Sequence, residues 1–316
     1  MKHRRNTAIQ LMILAVLGGA AMITLLLPRL PVKRSSAPVE VSVILREADS
    51  SLWSNVRLGM DQAAGELGAE LRLLTLAGAN DGEDQVDILR REVELGADVL
   101  VIIPADSGGL ARALAERGTG CPILSMESPL EGAGLTVAPD NEALGRELAQ
   151  AVLEDGPGPV ILLLDASPNS AGVSARVGSA RETLENAGAE VRYELVGLSG
   201  TGDRLSALLR QPDLSAVMVF EPALTERAAA LKESSGLETP LYGVGVTANG
   251  AAWLERGVIS AVAAWSDFAG GYLAVEGAVS LAQGEKRPLE QLPFFIVRGE
   301  EIYEPEYQKL LFPVTG

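Results

Sequence analysis

The chain has 316 residues, 47% of them apolar, enough to build the cores of two α/β domains of ordinary size. Its formal charge is −16, and because six of the 26 basic residues precede Ser35 while all 42 acidic residues follow it, the part beyond residue 34 carries −22, a surface that repels phosphate backbones and excludes nucleic acid as a partner. The one histidine, His3, lies in the basic terminus and the one cysteine is Cys121, so the chain beyond residue 34 has no Ser-His-Asp or Cys-His arrangement, no histidine-bearing zinc site and no internal disulfide.

The chain opens on "MKHRRNTAIQLMILAVLGGAAMITLLLPRLPVKRSS", in which residues 9–27 are apolar apart from Gln10 and Thr24. At about 1.5 Å of rise per residue, such a run comes close to the roughly 30 Å of a bilayer's hydrocarbon. No A-x-A cleavage site and no cysteine for a lipid follow it, so residues 1–34 read as an uncleaved membrane anchor, with an atypical signal peptide as the alternative. Lys2, Arg4 and Arg5 favour a cytoplasmic amino end, although Arg29, Lys33 and Arg34 weaken the charge asymmetry. A large domain behind one such span is an exported one, joined here by a linker at residues 35–38.

Strand and helix patterns alternate from there. "VSVIL" precedes a predicted helix whose Val56, Met60, Ala63 and Leu67 recur near helical spacing. Then come "ELRLLTL", a helix over residues 83–95, "DVLVIIP", a helix starting near Gly109, and "CPILSM", which Cys121 opens as a small buried residue. The stretch "GAGLTVAPDNEALGRELAQAVLEDG" marks a transition near residues 135–140, after which the pattern begins again. "PVILLLD", "AEVRYELV", "SAVMVF" and "TPLYGVGV" are predicted strands, with helices over residues 173–187, 203–210 and 223–232. The tail adds a short strand and a long helix in "ERGVISAVAAWSDFAGGYLAVEGAVSLAQGE", then the strand "LPFFIVRGEEIY". Strands bounded this closely by helices predict an α/β fold with parallel sheets covered on both faces. No G-x-G-x-x-G follows either unit's first strand and no G-x-x-x-x-G-K-S/T occurs, so neither a dinucleotide nor a P-loop role has its signature. No cofactor and no metal are expected, since no motif commits the carboxylates to one.

The phrases "READSSLW", "IIPADSGGL", "VAPDNEALGRELA", "NSAGVSARVGSARETL" and "GVISAVAAWSDFAGGYLA" are each weak, but their order and spacing resemble the type I periplasmic sugar-binding protein family, to which ribose- and galactose-binding proteins belong. The resemblance implies two Rossmann-like lobes with parallel sheets flanked by helices, crossed several times by the chain, with a ligand cleft between them. Lobe one would comprise residues 39–137 plus 266–288, and lobe two residues 138–265 plus 289–316. Related repressors carry an amino-terminal helix-turn-helix where this chain has its apolar span, which removes that reading.

For the site, the resemblance implies that Leu52 and Trp53 occupy positions where aromatics stack on a sugar ring, a face of C–H groups ringed by hydroxyls. On the residues alone, a tryptophan after a polar turn is more often a packing residue than a ligand contact. Asp106 matches an aspartate that accepts sugar hydroxyls, or it caps the helix that follows. Arg176 matches an arginine whose donor fork suits adjacent hydroxyls, with a salt bridge as the alternative. Asp49, Ser50 and Glu127 fall on corresponding cleft loops. The family's paired "ND" is replaced by Glu221-Pro222, its "FDG" by Val244-Gly245-Val246, and its late cleft glutamine aligns near Ala264 and Trp265. These departures predict a cleft more aromatic and more acidic than a ribose site, suited to a modified, larger, less polar or cationic ligand.

The function so implied is an extracytoplasmic solute-binding protein for a carbohydrate-like small molecule, serving an ABC transporter permease. The alternative is a membrane-tethered sensor or structural signalling module with an altered cleft, partnering a sensor kinase. A carboxylate enzyme acting on glycans through Asp106, Glu127 or Glu221 has no paired-acid motif behind it, and the chain reads as no enzyme.

Overall fold

The computed structural model describes residues 38–47, 53–117, 120–156, 158–198, 202–245, 247–285, 291–305 and 307–308. The apolar run at residues 9–27, nearly all of the linker, and Asp49, Ser50 and Leu52 lie outside them. Among the described residues no helix is long and apolar enough to cross a membrane.

Two sheets organise residues 39–316. The first is built from β1 (Glu40–Ile44), β2 (Glu70–Leu74), β3 (Val99–Ile102), β4 (Ile123–Met126) and β5 (Leu135–Val137), in the order β2-β1-β3-β4-β5, all parallel. "VLVI" and "ILSM" are buried at every position, as expected of central strands with helices on both faces. The helices are α1 (Ser54–Leu67), α2 (Gly82–Leu95) and α3 (Ser107–Arg117).

The chain then enters a second lobe through α4 (Asn141–Glu154). Its sheet contains β6 (Val160–Asp165), β7 (Glu190–Leu195), β8 (Ala216–Val219), β9 (Leu241–Val244), β10 (Ala261–Trp265) and β11 (Phe294–Arg298), ordered β11-β10-β9-β8-β6-β7. All neighbours are parallel except the antiparallel pair β10 and β11. Helices α5 (Ala171–Asn186), α6 (Gly202–Leu209), α7 (Pro222–Ser235) and α8 (Ala248–Glu255) connect them. After β10 the chain returns to the first lobe as α9 (Asp267–Ala282), which packs on α1, β3 and β4, before going back to β11. Pro139 and Leu292, on two of the connecting segments, form a parallel bridge.

The contact of α9 with α1 is made backbone to backbone. A Cβ on Gly59 would lie 1.9 Å from the Phe268 carbonyl oxygen, and one on Gly271 would lie 2.0 Å from that of Val56. Any side chain at either position forces the helices apart.

Several elements depart from the sequence pattern, each for a local reason. The transition stretch folds into β5 and α4; β5 has only three residues and is partly exposed, too short for alternation to register. Helix α8, eight residues rich in Ala, likewise gives no periodic signal. Helix α3 starts at Ser107, two residues before the expected point, because Asp106 Oδ1 accepts the Gly109 backbone N–H at 2.8 Å. Leu67, the last residue of α1, is exposed and does not continue its apolar stripe. Cys121 precedes β4 instead of opening it; it is buried and free, and burial pushes its thiol pKa up.

Candidate functional site

In parallel α/β sheets, side chains just beyond the carboxyl ends of strands gather at one edge, where ligands bind. Here the two sheets turn those edges toward each other. Arg46 and Glu47 follow β1, Glu127 follows β4, Ser167 follows β6, Glu221 follows β8, and Trp265 ends β10 with Asp267 two residues on.

Arg46 stands at the centre and is fully buried. Its Nη1 lies 3.1 Å from Glu127 Oε2, its Nη2 3.7 Å from Glu221 Oε2 and its Nε 3.6 Å from Glu47 Oε1. Burial alone would lower its pKa, but Glu127, Glu221 and Glu47 together hold it above the usual value. Burial raises the Glu47 carboxyl against the opposing pull of Arg46. Glu221 is pushed by burial up to about 7, although Arg46 and a hydrogen bond from Ser167 Oγ oppose the rise. Glu127 sits at a positive φ of 64°, in the left-handed region that a residue with a side chain rarely adopts and that clusters at functional sites. Asn141 Nδ2 secures that turn by donating to the Glu127 carbonyl at 2.9 Å.

Arg176, also fully buried, belongs to the second lobe. Its Nε donates to Asn141 Oδ1 at 2.7 Å and its Nη1 to the Phe220 carbonyl at 3.1 Å, and its guanidinium carbon lies 4.9 Å from the centre of the Trp265 ring. Among the described residues no carboxylate stands in salt-bridge range of it, and burial draws its pKa down to about 10. Trp53, just ahead of α1, is buried with its ring centre 6.0 Å from the Arg46 guanidinium carbon.

The lobes meet along one loop of the second lobe, residues 166–172. Asn80 Nδ2 donates to the Ala166 carbonyl and to Ser167 Oγ, the Ser107 backbone N–H donates to the Asn169 carbonyl, and Ser128 and Ser170 hydroxyls bond at 2.6 Å. The space left in the cleft is about 20 Å³, room for little more than a water molecule. Arg46, Glu47, Trp53, Glu127 and Asp267 line it, with Pro222 and Ala223 closing it from the second lobe. Around it a set of buried polar atoms lacks hydrogen-bond partners: all three nitrogens of the Arg46 guanidinium, Arg176 Nη2, Trp53 Nε1, Glu127 Oε2, Glu221 Oε1 and Asn80 Oδ1. Buried polar groups are paired in nearly all folded proteins, so this concentration sets the cleft apart from the rest of the described interior.

Of the residues anticipated from sequence, Trp53, Glu127, Arg176, Glu221 and Trp265 come together in this network. Asp106 stands apart from the cavity and serves as the cap of α3. Asp49, Ser50 and Leu52 lie outside the described residues. Arg46, Glu47, Asn141, Ser167 and Asp267 escaped the sequence reading; Arg46 and Asp267 stand within two residues of the end of an apolar strand, a place that by itself reads as exposed loop.

A family model described as the periplasmic binding protein domain matches residues 41–286. Among solved structures, the fold is similar to a carbohydrate transporter solute binding protein from Agrobacterium radiobacter in complex with D-arabinose, with a TM-score of 0.80 and 18% identity over 88% of this chain and 100% of that one. It is similar to an ABC transporter solute binding protein from Agrobacterium vitis with bound D-fucose, with a TM-score of 0.78 and 18% identity over 86% and 100% of the two chains. A third, an ABC transporter solute binding protein from Bacillus halodurans with bound myo-inositol, has a TM-score of 0.74 and 17% identity over 87% and 99%. No curated protein matches the sequence.

Proposed function

We propose that this chain, which belongs to the periplasmic binding protein family, is an extracytoplasmic binding protein that holds a sugar or sugar-like small molecule between its lobes and presents it to the permease of an ABC transporter. It is a binding protein and not an enzyme. The observation that carries the reading is the concentration around the cleft of buried donors and acceptors with hydrogen bonds left to make, Arg46 and Glu127 being ion-paired but not hydrogen-bonded. A hydroxyl both donates and accepts, so one polyhydroxylated ring answers guanidinium nitrogens and carboxylate oxygens together. Trp53 supplies the flat apolar face that such a ring requires on one side. D-Arabinose, D-fucose and myo-inositol, bound by the similar structures, are ligands of this kind.

The site we assign comprises Trp53, Glu127, Arg176, Glu221 and Trp265 with Arg46, Glu47 and Asp267; Asp49, Ser50, Leu52 and Asp106 join it on the family resemblance alone. We take the lobes as residues 39–137 with 266–288, and 138–265 with 289–316. The cleft as described is too narrow for a sugar, so entry requires the lobes to part along the 166–172 seam and close again around the ligand. The apolar run at residues 9–27 supports a tether that keeps the protein beside its permease. The resemblance to transporter components favours a permease over a sensor kinase.

Calorimetry on the full-length protein with neutral pentoses, hexoses and cyclitols tests the reading. Saturable heat and a raised melting temperature with at least one of them are expected. Folded protein that gives neither with any member of the panel overturns it.

A further inference from the structure

This inference rests on the sugar-binding reading and narrows it to a ligand class. The cavity wall presents three carboxyl groups, Glu47, Glu127 and Asp267, against one guanidinium, that of Arg46. Arg46 divides its charge among Glu127, Glu47 and Glu221 at 3.1 to 3.7 Å. Asp267 receives nothing: among the described residues, no basic group and no hydrogen-bond donor reaches its carboxyl. Nor does capping occupy it, because Ser266 Oγ accepts the Ala269 N–H at 3.1 Å and so caps α9 in its place.

Two further observations point to a ligand at the same wall. Trp53 Nε1, on a side chain more than nine-tenths buried, lines the cavity without a partner, and Glu127 Oε2 beside it has the Arg46 ion pair but no hydrogen bond. Glu127 is moreover held in left-handed backbone at the cleft edge, where glycine or asparagine would cost less. With the four described carboxyl groups of the cleft, Glu47, Glu127, Glu221 and Asp267, all ionised, the two guanidinium charges of Arg46 and Arg176 leave two negative charges in excess. A neutral sugar can fill the hydrogen bonds of such a wall but not its charge; Asp267 is itself partly exposed, and once a bound ligand closes water off from it that charge is offset by a proton or by a cation.

We propose that the ligand is cationic as well as polyhydroxylated: an amino sugar or aminocyclitol whose ammonium lies against Asp267 and Glu127 while Trp53 covers one face of its ring. An ammonium brings three donors and one positive charge to the place where acceptors and negative charge are in surplus. Burial, with Glu127 alongside, pushes the Asp267 carboxyl up to about 7. It therefore holds a proton in mildly acidic solution, and an arriving ammonium expels it.

The test is calorimetry on the full-length protein at about pH 6, where an amino sugar is charged and the Asp267 proton is in place. D-Glucosamine and D-galactosamine are compared with D-glucose and D-galactose and with their N-acetyl forms, each in two buffers of different ionisation enthalpy. An amino sugar is expected to bind at least about tenfold more tightly than its neutral counterparts. It should also release protons to the buffer, a reading on unaltered protein. Asp267→Asn and, independently, Glu127→Gln should reduce that preference to about threefold or less in protein shown to be folded. Equal or tighter binding of the neutral sugars, or amino-sugar binding without proton release, overturns the cationic ligand and leaves the sugar-binding reading standing. Folded protein that binds neither set overturns both.

Discussion

Each lobe sets an arginine against a tryptophan, and the two pairs are answered differently. Arg46 lies near Trp53 with Glu47, Glu127 and Glu221 around it, whereas Arg176 lies over Trp265 with an amide oxygen and a backbone carbonyl as its partners. One guanidinium is held charged by carboxylates from both lobes; the other is held in place by neutral groups, with its pKa drawn down to about 10. The hydrogen-bond and ring partners of Arg176, namely Asn141, Phe220 and Trp265, belong to the second lobe, so on the proposed opening that pair survives. The Arg46 cluster does not, because its Glu221 arm spans the cleft. The same two side-chain types therefore give a fixed wall on one side and a charge junction, remade at each closure, on the other.

Replacing Arg46 breaks that contrast most severely. Arg46→Met leaves Glu47, Glu127 and Glu221 buried together, and above pH 7 the loss of unfolding free energy is expected at about 3–5 kcal/mol, the range for stripping a buried charge of its partner. Near pH 5 the loss should shrink, since burial already favours protonated Glu221 and Glu47. The unaltered protein follows the same sign. Folded Glu221 and Asp267, each at about 7, bind protons that the unfolded chain gives up near its ordinary carboxyl values of 4.5 and 3.8. Unfolding free energy therefore falls as pH rises through this window, and Glu221→Gln should flatten the fall. Urea unfolding at both pH values decides: equal losses for Arg46→Met would abolish the distinction between the two arginines.

Arg176→Met should cost less, about 1.5–3 kcal/mol for hydrogen bonds from a charged donor, and nearly the same at pH 5 and pH 7.5. A marked pH dependence in that variant would place Arg176 in the same charge junction as Arg46. Trp53→Ala should weaken ligand binding by about 1–3 kcal/mol, while Trp53→Phe keeps most of the affinity because a flat ring remains. Unchanged affinity in folded Trp53→Ala protein would remove Trp53 from the site. The smallest effect belongs to the seam. Ser128→Ala removes bonds to Ser170 Oγ and to the Gly172 N–H and should favour separated lobes by about 0.5–1.5 kcal/mol per bond, visible as a larger radius of gyration without ligand.

The sheets were legible because central parallel strands are written as unbroken apolar runs. "VLVI" and "ILSM" admit no other arrangement once helices flank them. Arg176, Glu221 and Trp265, named through the family resemblance, lie together in the buried network, because each follows or faces the carboxyl end of a second-lobe strand. Arg46 and Asp267 were not legible, since a charged residue after a strand reads as exposed loop until a second lobe covers it. Asp106 shows the opposite difficulty: its spacing to Gly109 suits a helix cap as well as a ligand, and the fold makes the cap with Oδ1.

The glycine contact between α1 and α9 has a mechanical consequence. Gly59 and Gly271 lock α9 onto the first lobe, yet α9 begins two residues after Trp265, the last residue of a second-lobe strand. Ser266 alone separates them. The proposed opening of the lobes has to turn at Ser266 as well as at the other crossings, which puts Trp265 and Asp267 on opposite sides of one pivot. A ligand that touches both grips the pivot itself, and the angle between the lobes becomes a direct function of the size and shape of what is bound.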